Sequence, residues 1–93
     1  MSALGQKLRK TRGGLMFWCP ACITSHGITL GRNGWDWNNS EDKPTFTPSL
    51  YSVAGDLKCH CFVRDGRIEY LADSTHELRG KSVDMPDWPF DAT

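Results

Sequence analysis

Ninety-three residues suffice for one small domain, which buries only about 60–65% of its unfolded surface and leaves its core alone marginal. The formal net charge is zero, which argues against a general polyanion binder. No run approaches the roughly 18 apolar residues of a membrane span, so a spanning helix is excluded.

Residues 1–14 carry Lys7, Arg9, Lys10 and Arg12 with no acid among them, and read as a flexible basic leader ended by Gly13 and Gly14. The apolar stretch that follows is too short for a signal peptide's core. A cytoplasm is therefore expected, where the four cysteines serve as thiolate ligands rather than disulfides. Residues 15–18 form an apolar strand that runs into Cys19-Pro20-Ala21-Cys22. Residues 26–30 form a second strand, which makes the cysteine pair the tip of a hairpin. Residues 31–34 turn, residues 35–37 alternate as a half-buried strand does, and residues 38–43 are polar loop. Two prolines restrict residues 44–50 to an edge or a packed extended segment.

Residues 59–64 and 67–72 flank Asp65-Gly66, a pair that favours a type I′ hairpin. That register sets Val63 against Ile68, Cys61 against Tyr70 and Cys59 against Ala72. Both faces then carry apolar groups, so the hairpin is central. Residues 74–78 predict one helical turn, capped by Ser74 with Glu77 three residues on and stopped by Gly80. Residues 84–93, with Asp84, Asp87 and Asp91, form an acidic tail whose Trp88 and Phe90 pack back on the body. The expected fold is mostly β: a small antiparallel zinc-ribbon-like domain over residues 15–83, with at most one short helical turn.

The C-x-x-C spacing suits zinc because its tight turn brings two sulfurs to one tetrahedral ion at about 2.3 Å each. A redox pair shares the spacing but sits at a helix start, whereas Cys19 and Cys22 lie between two predicted strands. The second half adds Cys59, His60, Cys61 and His76, and His26 lies near the first pair. Strand alternation separates Cys59 and Cys61 from His60. The expected ligands are Cys19, Cys22, Cys59 and His76, with His60, His26 and Cys61 as alternates. Cys61 otherwise reads as a small buried hydrophobe.

The ordered set Phe-Trp-Cys-Pro-x-Cys (17–22), His26, Trp-x-Trp-Asn (35–38), Pro-Thr-Phe-Thr-Pro-Ser-Leu (44–50), Cys-His-x-Phe-Val-x-Asp-Gly-x-Ile (59–68) and Asp-Ser-Thr-His (73–76) resembles a family of small proteins encoded in tailed phages and prophages. The resemblance covers residues 15–88 and implies phage origin and expression in a bacterial cytoplasm, with no established activity. Its occasional label, ammonia monooxygenase, matches nothing in these residues. Relatives keep Cys59-His60 as a unit and often carry serine at position 61, which implies that Cys61 is dispensable.

Trp35, Trp37, Asn38, Thr45 and Trp88 are the expected binding surface, against the alternative that the tryptophans simply fill the core. The leading functional expectation is a non-enzymatic zinc module that binds a host or phage protein, because four protein ligands close a metal. Nucleic-acid binding through the basic leader and tryptophans is the first alternative. The second is a zinc-dependent hydrolase with Asp73 or Glu77 as base. No Gly-rich phosphate loop, nucleophile elbow or Cys-His-Asn spacing appears.

Overall fold

A computed structural model describes residues 2–90; Met1 and residues 91–93, including Asp91 of the expected acidic tail, lie outside the described residues. Among the described residues, nine strands build two antiparallel sheets. The first runs in the order β1 (Ser2–Leu4), β2 (Leu8–Thr11), β3 (Gly14–Cys19), β4 (Thr24–Thr29). The second runs β5 (Asp36–Trp37), β6 (Phe46–Ala54), β7 (Leu57–Arg64), β8 (Arg67–Tyr70), β9 (Ser82–Asp84). No described residue is helical, and no helix is long and apolar enough to cross a membrane.

One core joins the sheets. Alternation turns Leu15, Phe17 and Cys19 of β3 inward, and does the same for Cys59, Cys61 and Val63 of β7. Phe17 stacks on Phe46 with ring centroids 6.1 Å apart, so the two layers meet through aromatic faces. Leu8, Ile28, Leu50, Ile68, Tyr70 and Met85 complete the buried cluster. Gly14 opens β3 because a side chain there would overlap the Ile28 carbonyl.

Much of the chain lies where its sequence places it. The cysteine pair caps the β3–β4 hairpin. Val63 opposes Ile68 and Cys61 opposes Tyr70 across a turn in which Asp65 and Gly66 both have positive φ. The β7–β8 hairpin is interior, flanked by β6 and β9. The second proline of residues 44–50 sits where the β6–β7 register shifts between Phe46 and Leu50. Trp88 and Phe90 pack edge-on against Trp18, at 6.1 and 5.3 Å between centroids.

Three local readings differ. Residues 2–11, expected as a flexible leader, form the β1–β2 hairpin, because Leu8 is fully buried opposite Phe17. Arg9 is buried with it, donating to the Leu8 carbonyl at 2.6 Å and lying 5.4 Å from the Trp88 ring centroid. The pairing expected between Cys59 and Ala72 is absent, because β8 stops at Tyr70. The helical turn expected at residues 74–78 does not form: residues 74 and 75 are irregular, with the Ser74 hydroxyl engaged by His60 rather than by its own segment, and turns follow at 77–80.

Candidate catalytic triad and metal centre

The two faces of β7 carry different chemistry. Outward-facing His60 lies opposite Tyr51 of β6, two residues beyond Ser49. The Ser49 hydroxyl stands 3.2 Å from His60 Nε2. On the other side of the ring, Nδ1 lies 3.1 and 3.0 Å from the two carboxylate oxygens of Asp73. An ionised carboxylate only accepts, so Nδ1 carries the proton and Nε2 accepts the Ser49 hydroxyl. A hydroxyl, an imidazole and a carboxylate in this chain of bonds have the geometry of a serine-hydrolase triad.

His60 is held by its surroundings. Its N–H donates to Ser74 Oγ at 2.9 Å, and its C=O accepts from that hydroxyl at 3.1 Å and from Leu71 N–H at 2.8 Å. The Tyr51 ring meets the imidazole edge-on at 5.4 Å between centroids. The histidine is about a quarter exposed, open enough for a substrate to reach it, while Asp73 is more than half exposed.

The inward face brings together the metal-ligating groups. Sulfurs of Cys19, Cys22 and Cys59 and a ring nitrogen of His26 all lie within 4.8 Å of one another. A tetrahedral ion at about 2.3 Å from each sulfur sets them about 3.8 Å apart, so the cluster is near coordinating size. Cys19 ends β3, Cys22 sits in the turn, His26 is on β4 and Cys59 is on β7, so the cluster spans both sheets. His26 Nε2 is buried with no hydrogen-bond partner among the described residues, which fits a nitrogen meant for a ligand.

The thiols are also costly to ionise as they stand. The neighbouring Cys59 sulfur and then burial push the Cys19 thiol up to about 11. Burial and then the charge of Cys19 push Cys22 up to about 11. At Cys59 the contact with Cys19 pulls downward, but Cys61 and burial outweigh it and the net shift is upward. A divalent cation among three thiolates reverses this balance.

The remaining expected site residues fall elsewhere. His76 stands outside the four-atom cluster, its ring edge-on to Tyr70 at 4.6 Å between centroids. Tyr70 in turn places its hydroxyl 3.1 Å from Cys19 Sγ. Cys61 is fully buried beside the cluster but outside it. Asn38 organises a loop: its Oδ1 accepts from Ser40 and Thr45 N–H, and its Nδ2 donates to the Lys43 carbonyl. Thr45 Oγ1 accepts from Asp65 N–H at 2.8 Å, and Trp37 Nε1 donates to the Ser40 carbonyl. Trp88 covers Trp18 and Arg9, whereas Trp35 borders a cavity.

Sequence reasoning missed Ser49, and it assigned His60 and Asp73 to other roles. The available signal was alternation, since pairing residues 49–53 with 58–62 puts Ser49 and His60 on one face. No curated protein and no solved structure matches the chain. Residues 3–71 match the family described as bacterial ubiquitination-like system serine protease, BubE; the match covers most of the chain, which therefore belongs to that family.

Proposed function

We propose that the chain is a serine protease that cuts a peptide bond in a protein of a bacterial ubiquitination-like system. The observation that carries this reading is His60, bonded at Nε2 by Ser49 and at Nδ1 by Asp73. Ser49 Oγ attacks the scissile carbonyl and its proton passes to His60 Nε2. The imidazolium then protonates the leaving amine, and water hydrolyses the resulting ester by the same route. Asp73 acts through His60 as a positioning residue, fixing the tautomer and offsetting the imidazolium charge. The protein partner expected from the sequence becomes, in this reading, the substrate.

The metal centre has a separate role. Cys19, Cys22, His26 and Cys59 would hold a zinc ion that ties the β3–β4 hairpin to β7, and the chemistry it supplies is structural cross-linking of a small core. Three thiolates and an imidazole fill four positions. A reducing cytoplasm keeps those thiols available, which suits the expected location.

The deciding experiment treats purified protein with a fluorophosphonate probe and maps the adduct by mass spectrometry. Labelling of Ser49, abolished by Ser49→Ala and by His60→Ala while folding is retained, supports the reading. Absence of any adduct on folded, zinc-loaded protein overturns it.

A further inference from the structure

A groove of about 200 Å³ is lined by Ser25, His26, Gly27, Trp35, Leu50, Tyr51 and Ser52, and Tyr51 of its wall packs edge-on against His60. Its two long walls are strand edges. β4 ends its sheet and pairs only with β3. β6 pairs with β5 only at Phe46 and Thr47, so among the described residues its stretch 50–54 pairs with β7 alone.

The direction of the backbone groups follows from the bonds made elsewhere. His60 and Lys58 turn their N–H and C=O groups away from β6: His60 to Ser74 and Leu71, and Lys58 to Thr75. Their partners Tyr51 and Val53 are thus non-hydrogen-bonded pairs with β7, and their own N–H and C=O groups point to the open edge of β6, where Leu50, Tyr51 and Ser52 wall the groove. On the opposite wall, Leu30 N–H donates inward to Gly13, whereas the Thr29 carbonyl turns outward to accept Trp35 N–H. The same alternation points Ser25 and Gly27 at the groove.

We infer that this groove binds an extended peptide as an added strand on β6, delivering its chain to Ser49. The inference rests on the protease reading for what the bound peptide is, namely the substrate segment beside the scissile bond. The outward amide groups of Tyr51 and Val53 match one side of a peptide backbone, and an extended chain along β6 arrives at Ser49 one residue beyond Leu50. Alternate guest side chains meet Tyr51 and Val53, large apolar groups that are 56% and 54% exposed on the face that carries Ser49. The intervening side chains meet Leu50 and Trp35, so the preferred ligand has apolar residues along the whole segment. Trp35 Nε1, buried without a partner among the described residues, adds a donor at the groove wall.

Zinc-loaded Ser49→Ala protein is incubated with arrayed peptides of about ten residues, and the best binder is then resynthesised with single backbone N-methyl groups. Two-residue periodicity is expected, with alternate N-methylations weakening binding roughly tenfold and the others neutral, as ladder bonds to one strand require. Val53→Pro removes an N–H that points away from β7. It is expected to weaken the same peptide by a similar factor without lowering the thermal midpoint. No binding by folded protein, or an N-methyl profile without periodicity, overturns the groove; should Val53→Pro unfold, the N-methyl scan alone decides. Failure of Ser49 to react with fluorophosphonate is a separate result that strikes the protease reading.

Discussion

Cys59 and His60 are consecutive in β7, and strand alternation sends the thiol into the candidate metal cluster and the imidazole toward Ser49 and Asp73 on the opposite face. One peptide unit therefore links the proposed metal centre to the proposed base. Displacement of β7 at Cys59 moves His60 with it, since no flexible segment lies between them.

Asp73→Asn tests the positioning role. The amide can present its carbonyl to Nδ1–H, but it loses the charge that favours one tautomer and stabilises the imidazolium. Because Asp73 is more than half exposed, solvent screens part of its effect. The expected loss in kcat/KM is about 10²–10³-fold, with a pH–rate profile displaced from wild type and partial recovery in Asp73→Glu. An unchanged rate and profile would remove Asp73 from the triad.

Chelation or Cys59→Ser should destabilise the whole domain. The cluster joins two sheets that otherwise share a small core, and a loss of about 2–3 kcal/mol lowers the midpoint of a domain this size by roughly 10–20 °C. Calorimetry on zinc-loaded and chelated samples reads it. Equal midpoints would mean that the cluster holds no structural metal.

Zinc uptake should release protons. Cys19 and Cys22 titrate at about 11 and Cys59 is pushed upward as well, so all three are thiols at neutral pH and must ionise to bind. Isothermal titration in buffers of different ionisation enthalpy should give about three protons per ion. A value near zero would exclude a three-thiolate site.

His76 should make stability depend on pH. Burial, and secondarily the charge of Arg79, lowers its folded-state pKa below the usual 6.5. The unfolded chain therefore binds the proton more readily, and stability is lost as pH falls below about 6.5 toward the folded value. Urea midpoints from pH 7.5 to 5.5 should fall more steeply for wild type than for His76→Phe, which keeps a ring against Tyr70. Parallel curves would show that His76 does not carry the difference.

The elements whose information is local were legible in the sequence: the cysteine hairpin, the Asp65-Gly66 turn and its register. Cys19 and Cys22 could be nominated from the C-x-x-C turn between two strands, and Cys59 from strand alternation in the second half. The triad was not legible. Ser49 resembles any serine in an extended segment, and only the pairing of β6 with β7 brings it to His60. The choice of His26 for the cluster likewise depends on how β4 lies over β7, which no local pattern encodes. Asp73 reads from sequence only as a base beside a zinc ion, whereas its contact is with His60.

The rims of β4 and β6, which no described strand covers, have a cost when nothing occupies them. Two molecules at high concentration can zip together along those rims, since one chain's amides satisfy another's as well as a guest's. Such pairing would hide Ser49, so turnover per molecule should climb on dilution. Expression without a ligand would then favour clumping, and short apolar peptides would act as solubilisers.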